Sequence, residues 1–122
     1  MSSYRKGYVA ENQLTHELYS RGWAVMRAPR SGSTSIASPD IVAAKHGRLL
    51  AIECKSRDDA FAVRKEQLNE LEEWVKRAHA TAYIAWKISR KGWFFLRLED
   101  VVKTHGKVNR KSLDHAISMD HI

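Results

Sequence analysis

Apolar residues recur at Ala10, Leu14 and Leu18, a spacing that predicts an amphipathic helix over about Arg5 to Arg21, with Gly22 as its stop. Trp23-Ala24-Val25-Met26-Arg27 follows as a strand. Pro29 to Ser38, with four serines, a threonine and a glycine, reads as a loop. Ile41 to Ile52 then holds two apolar β runs around a turn, and Gly47 supplies the turn signal. Leu68, Leu71, Val75 and Ala78 mark a second helix over Arg64 to His79. Thr81 to Ile88 reads as a strand, and Ser89-Arg90-Lys91-Gly92 as a basic turn into a last strand, Trp93 to Leu98. The order α-β-β-β-α-β-β implies the α/β class, a mixed β-sheet of about five strands flanked by helices. No repeat or boundary interrupts the chain, so residues 1–122 form a single domain. From about Lys103 to Ile122 the chain is a polar, basic tail, with a short helix expected only within Ser112 to Met119.

The hairpin carries the candidate chemistry. With His46 and Gly47 as the central residues of a tight turn, the register puts Asp40, preceded by Pro39, opposite Glu53 on one sheet face. Opposed Cβ atoms lie about 4.5–5.5 Å apart, within reach of one Mg²⁺ taking oxygen ligands at roughly 2.0–2.1 Å. Lys55 points the same way, whereas Cys54 alternates to the other face with Ile52. Two adjacent carboxylates repel, and a hard dication removes that conflict while activating water. A neighbouring ammonium stabilises charge that develops on a phosphoryl oxygen. The pattern therefore suggests phosphodiester hydrolysis. The alternative is an exposed hairpin with a cross-strand ion pair, worth about 0–1 kcal/mol and without function.

Charge narrows the partner. The 122 residues include 21 Lys and Arg against 14 Asp and Glu, a formal net charge of +7, and the sequence pI is 9.8. Such an excess in a small domain is the footprint of a nucleic-acid binder. No apolar run is long enough to span a membrane and no signal-peptide core is present, so no membrane partner and a cytoplasmic location are expected. A single cysteine agrees with a reducing compartment. The six histidines show no ligand spacing with that cysteine, which argues against zinc. Glu11 lies at the edge of the first helix's apolar stripe. It is either a surface glutamate paired with Arg5 or Lys6, or a third carboxylate aimed at the hairpin.

Arg5-Lys6-Gly7 with Glu11, the run Trp23 to Ser33, Pro39-Asp40 and Glu53-Cys54-Lys55 together resemble the archaeal Holliday junction resolvases, nucleases of the PD-(D/E)xK, restriction-endonuclease-like superfamily. That resemblance implies that Glu11, Asp40 and Glu53 bind Mg²⁺, with Mn²⁺ as a substitute, and that the Cys54 backbone carbonyl adds a ligand. It assigns Lys55 to transition-state stabilisation and Ser31 to the catalytic loop, where the other serines leave a linker role open. Arg5, Lys6, Arg27, Arg30 and Ser33 would contact DNA. Asn12 stands where the family often has arginine, so one phosphate contact is missing or replaced. Gln67 is similar to a glutamine of related nucleases and could approach the site, but as a polar residue on an amphipathic helix it reads rather as solvated.

The implied reaction is paired, symmetric nicking of four-way branched DNA. One chain supplies one catalytic set, so a two-fold homodimer follows. Leu71 with Trp74, or Trp93 with Phe95, are candidate dimer contacts, with ordinary core as the alternative for each. Two further readings stand beside the resolvase: another nuclease of this superfamily acting on branched or linear duplex, and a non-catalytic junction-binding protein.

Overall fold

The computed structural model describes residues 3–28 and 36–122, and side chains from residue 6 onward within them. Helix α1 (Ser3–Ser20) buries Ala10, Leu14 and Leu18 along one stripe. It ends where Gly22 takes a left-handed φ of 96° and the Trp23 amide returns to the Leu18 carbonyl at 3.1 Å. Strands β1 (Ala24–Arg27), β2 (Ile41–Lys45) and β3 (Arg48–Ser56) form an antiparallel meander. After a two-residue strand β4 (Phe61–Ala62), helix α2 (Lys65–Ala78) crosses over to β5 (Thr81–Ile88), which pairs parallel to β3. Strand β6 (Gly92–Arg97) returns antiparallel to β5. The sheet order is β1-β2-β3-β5-β6, the mixed five-stranded sheet that the hydrophobic pattern implies.

Helices cover both faces. Leu14 and Leu18 pack with Ile41, Ala43, Leu50, Ile52, Ala85 and Phe95 on one side of the sheet. Leu68 and Leu71 of α2 pack with Ala51, Ala82, Ile84, Trp86 and Leu96 on the other. The central strands β3 and β5 are therefore apolar on both faces, as a parallel pair beneath a crossover helix requires. Leu71 and Phe95 are fully buried, and the Trp74 Nε1–H donates to the Ala37 carbonyl at 3.1 Å. Of the candidate dimer residues, Leu71 and Phe95 therefore belong to the core of one chain, whereas Trp74 and Trp93 are half-buried.

The C-terminal segment is not a solvated tail. Residues Leu98–Lys103 form helix α3, and Lys107–Val108 forms strand β7, which pairs with β4. Gly106 has a φ of 87°, and a Cβ there would lie 2.3 Å from the Val63 carbonyl oxygen, which only glycine permits. Two 3-10 turns follow, Arg110–His115 and Met119–His121. Phe95 and Ile117 exchange backbone hydrogen bonds at 2.9 and 2.8 Å, and Val108 and Ile122 are buried. Isolated apolar residues with no periodicity thus close the edge of the sheet.

Candidate active site

Asp40 precedes the first residue of β2, next to the fully buried Pro39. The pairing of Ile41 with Ile52 continues the hairpin register so that Asp40 comes opposite Glu53. The two residues are cross-linked: the Asp40 amide donates to Glu53 Oε1 at 3.2 Å, and the Cys54 amide donates to Asp40 Oδ2 at 2.9 Å. From the β1 side, the Ala28 amide donates to the Asp40 carbonyl at 2.9 Å. Backbone donors from β2 and β3 therefore aim both carboxylates.

Gln67 occupies the centre of this site and is not solvated. It stands four residues before Leu71, so it shares the sheet-facing side of α2. Its Nε2 donates to Glu53 Oε2 at 3.0 Å, and its Oε1 accepts from Lys55 Nζ at 3.0 Å. A neutral amide thus bridges the acid to the base and holds the Lys55 ammonium beside Glu53. Its polar chemistry suggested an exposed position; its place one turn before a buried leucine was the signal for this one. Glu70, one turn further along α2, accepts from the Ser38 amide at 3.1 Å and ties the approach to Pro39 to the same helix.

Electrostatics follow from burial. Glu53 is only 3% exposed. Burial, then the charge of Asp40, pushes its carboxyl up to about 9, against the pull of Lys55. Burial lowers the Lys55 ammonium, with Arg57 and Arg64 adding to the effect and Glu53 and Asp40 opposing it. The Cys54 thiol points to the other face, as alternation requires. It is raised by burial first and then by the charges of Asp40 and Glu11. Glu11 is buried on α1 and close enough for its charge to be felt at Cys54. Its burial sets aside the reading as a surface glutamate.

Arg27 lies with its guanidinium 4.3 Å from the centre of the Tyr8 ring, and its Nη1 is buried without a hydrogen-bond partner. Lys6 is exposed on the first turns of α1. Arg30, Ser31, Ser33 and the side chain of Arg5 lie outside the described residues.

The donor set of Asp40, Glu53, Glu11 and the Cys54 carbonyl is all oxygen, which suits a hard divalent cation, and the raised Glu53 carboxyl is the conflict that such a cation relieves. Among the described residues, no three His, Cys, Asp and Glu side chains are gathered as a ready-made ion cage. Both oxygens of Glu53 and Oδ2 of Asp40 face protein donors instead. Each of these oxygens accepts one bond from a donor named here and has a second lone pair, so those bonds and an ion can share the carboxylates.

Residues 2–122 match the family model described as "Archaeal holliday junction resolvase (hjc)". The crossover junction endodeoxyribonuclease Hjc of Sulfolobus acidocaldarius is 36% identical over 107 residues, covering 85% of this chain and 74% of that protein. Its counterpart from Archaeoglobus fulgidus is 33% identical over 100 residues, covering 81% and 74%. The solved structure of A. fulgidus Hjc superposes with a TM-score of 0.85 at 27% identity, over 93% of this chain and 96% of that one. The bacterial homing endonuclease I-Ssp6803I shares the fold alone, with a TM-score of 0.63 at 14% identity over 94% and 86% of the two chains. With a family model matched from residue 2 to residue 122 and relatives above 30% identity, this chain belongs to the archaeal Holliday junction resolvase family.

Proposed function

We propose that this chain resolves four-way DNA junctions by paired, metal-dependent nicking, with Asp40, Glu53 and Lys55 as its catalytic centre. The observation that carries the reading is the facing, cross-bonded pair Asp40 and Glu53, joined to Lys55 through Gln67. Glu11, Asp40, Glu53 and the Cys54 carbonyl would hold Mg²⁺, or Mn²⁺ in its place. When bound, the metal supplies an activated water and neutralises charge developing on the phosphoryl oxygens.

The protein's own groups do the rest. Lys55 offers its ammonium to the phosphate under attack, and Gln67 limits where that ammonium can sit. The Arg27 guanidinium, stacked on the Tyr8 ring and with its Nη1 short of a partner, would contact a backbone phosphate. Arg5, Lys6, Arg30 and Ser33 would add backbone contacts, and Ser31 a hydroxyl beside the reacting phosphate. Burying Glu53 beside Asp40 costs desolvation and like-charge repulsion, a cost that a protein that only bound junctions has no use for. Two symmetric nicks need two centres, and a homodimer provides them.

The test is incubation of the protein with labelled four-way junction, fork and linear duplex, in Mg²⁺ or in EDTA. Paired symmetric nicks confined to the junction and lost in EDTA are expected. Equal cutting of linear duplex would move the assignment to a nuclease of the same fold without junction selectivity, and binding without cutting in Mg²⁺ would remove the catalytic reading.

A further inference from the structure

Beyond the last residue of β3, the chain stays fastened to β5. The Arg57 amide donates to the Lys87 carbonyl at 3.1 Å, and the Trp86 indole N–H donates to the Arg57 carbonyl at 2.7 Å. Asp58 then accepts from the Ser89 amide at 2.9 Å and from the Ser89 hydroxyl at 3.0 Å. These two donors, with Lys6 nearby, hold its carboxyl below the usual carboxylate range. The turn between β5 and β6 is closed by the Lys91 amide on the Ile88 carbonyl at 3.0 Å, and Arg90 sits in it at a left-handed φ of 66°. His46, His79 and His105 take the same conformation, so it belongs to turn geometry and does not distinguish this turn from the others.

Its charges do. Arg57, Arg90 and Lys91 are exposed, and among the described residues none of them forms an ion pair. Asp58 stays ionised among them, its carboxylate held on the Ser89 amide and hydroxyl, and the exposed Asp59 follows it, so the three cations exceed the acids of the patch by one. The patch adjoins the catalytic centre: Lys55 pairs with Trp86 of β5, and Arg57, two residues on, is bonded to the next residue of β5, Lys87. Two residues of strand advance separate Lys55 from Arg57, roughly 7 Å, while successive phosphates of one DNA strand advance about 3.4 Å along the duplex axis. A backbone held at Lys55 and running along the direction of β3 would bring nearby phosphates to this turn.

We propose that Asp58 and Ser89 form a latch that fixes the β5–β6 turn as a second phosphate-binding element, through which Arg57, Arg90 and Lys91 grip the duplex arm leading away from the cleavage point. This rests on the reading of the site as a DNA phosphodiesterase. A latch that only closed a hairpin would leave the turn solvated and DNA binding indifferent to it.

The experiment measures junction binding by the full-length chain in EDTA across a salt series, and single-turnover cleavage in Mg²⁺ across protein concentrations. Arg90→Ala with Lys91→Ala lowers the slope of log affinity against log salt by about 2, at roughly 0.9 per phosphate contact. The loss in cleavage falls on the half-saturating concentration rather than on the maximal rate. Ser89→Ala lowers the slope by about 1, and Ser89→Thr, which keeps the hydroxyl, restores it. Lys45→Ala with Arg48→Ala, an equal charge loss at the opposite end of the hairpin, keeps the wild-type slope.

An unchanged slope in the Arg90/Lys91 variant, or an equal fall in the Lys45/Arg48 variant, overturns the proposal. Should Ser89→Ala unfold, the surface pair still decides the matter. If the wild-type protein itself cuts no DNA, the function assigned above fails; if it cuts and the turn variant binds with the same salt slope, only the latch fails.

Discussion

The β2–β3 hairpin carries basic residues at both of its ends. At one end Lys55 is half-buried and bonded to Gln67, which is bonded in turn to the buried Glu53. At the other, Lys45 and Arg48 lie over the ring of Trp23 at 5.5 and 5.6 Å, and their charged groups reach the Arg21 and Ile122 carbonyls, both at 2.8 Å. Both ends satisfy their donors, but only the first removes charge from water beside opposite charge. There the carboxyl of Glu53 rises to about 9 and the ammonium of Lys55 falls. Burial under α2, rather than residue type, separates the proposed centre from a packed basic surface.

The largest effect expected from breaking the first end is on chemistry. Asp40→Asn keeps an oxygen to accept from the Cys54 amide, so the hairpin keeps its geometry while the charge disappears. Junction cleavage is expected to fall below detection, and Lys55→Ala to cost on the order of 10²–10³-fold. Gel-shift affinity in EDTA should stay within a few-fold, because anchoring and catalysis use different groups. A loss of affinity in step with activity would show that the two are not separable.

Gln67→Ala comes next. It leaves Glu53 Oε2 and Lys55 Nζ without their shared partner, at about 1–3 kcal/mol of stability for a buried group left unpaired. Denaturant titration reads that cost. Because the bridge also orients Lys55, the maximal cleavage rate should fall by about 10–100-fold, the range typical of groups that position a metal ligand. A variant that lost stability but cut at the wild-type rate would reduce Gln67 to packing.

This pair of ends also shows what a sequence discloses. The facing of Asp40 and Glu53 was legible because Gly47 and the lengths of two apolar runs set the register, and alternation then assigned Lys55 and Cys54 their faces. Gln67 was misread because a polar residue on an amphipathic helix looks solvated until the helix is docked. Its bonds depend on where α2 lies over β3, a long-range fact. The segment after Lys103 was misread for a similar reason: Val108, Ile117 and Ile122 carry no period, and their burial depends on Gly106 meeting Val63 and on Ile117 pairing with Phe95.

A subtler test uses pH without DNA or metal. A carboxyl raised in the fold from 4.5 to about 9 binds its proton in the native state over a range where the unfolded chain has lost it. Its contribution to stability is therefore full below about 4.5 and is lost as pH rises through about 9. The melting temperature should fall across that window, at roughly 3–5 °C per kcal/mol for a domain of this size. Glu53→Gln should flatten the decline. Added Mg²⁺, which favours the ionised carboxyl, should stabilise more at pH 8.5 than at pH 6. A wild-type profile that was flat, or that rose with pH, would contradict the burial argument.

The smallest effects belong to the far end. Lys45→Ala and Arg48→Ala each remove an exposed or half-exposed cation from the Trp23 ring and from a backbone carbonyl, at about 0–1 kcal/mol apiece. The Trp23 side chain keeps its burial from α1 and β2, so its fluorescence should shift little. Arg48 also holds the Ile122 carbonyl, and of the two variants Arg48→Ala should therefore give the greater rise in amide exchange near the last 3-10 turn. Junction cleavage by the double variant should stay within about twofold of wild type, since strand length alone places Arg48 roughly 23 Å from Lys55. A loss comparable to that of Lys55→Ala would mean that the far end also handles substrate, and the contrast between the two ends would then be one of position along the DNA rather than of burial.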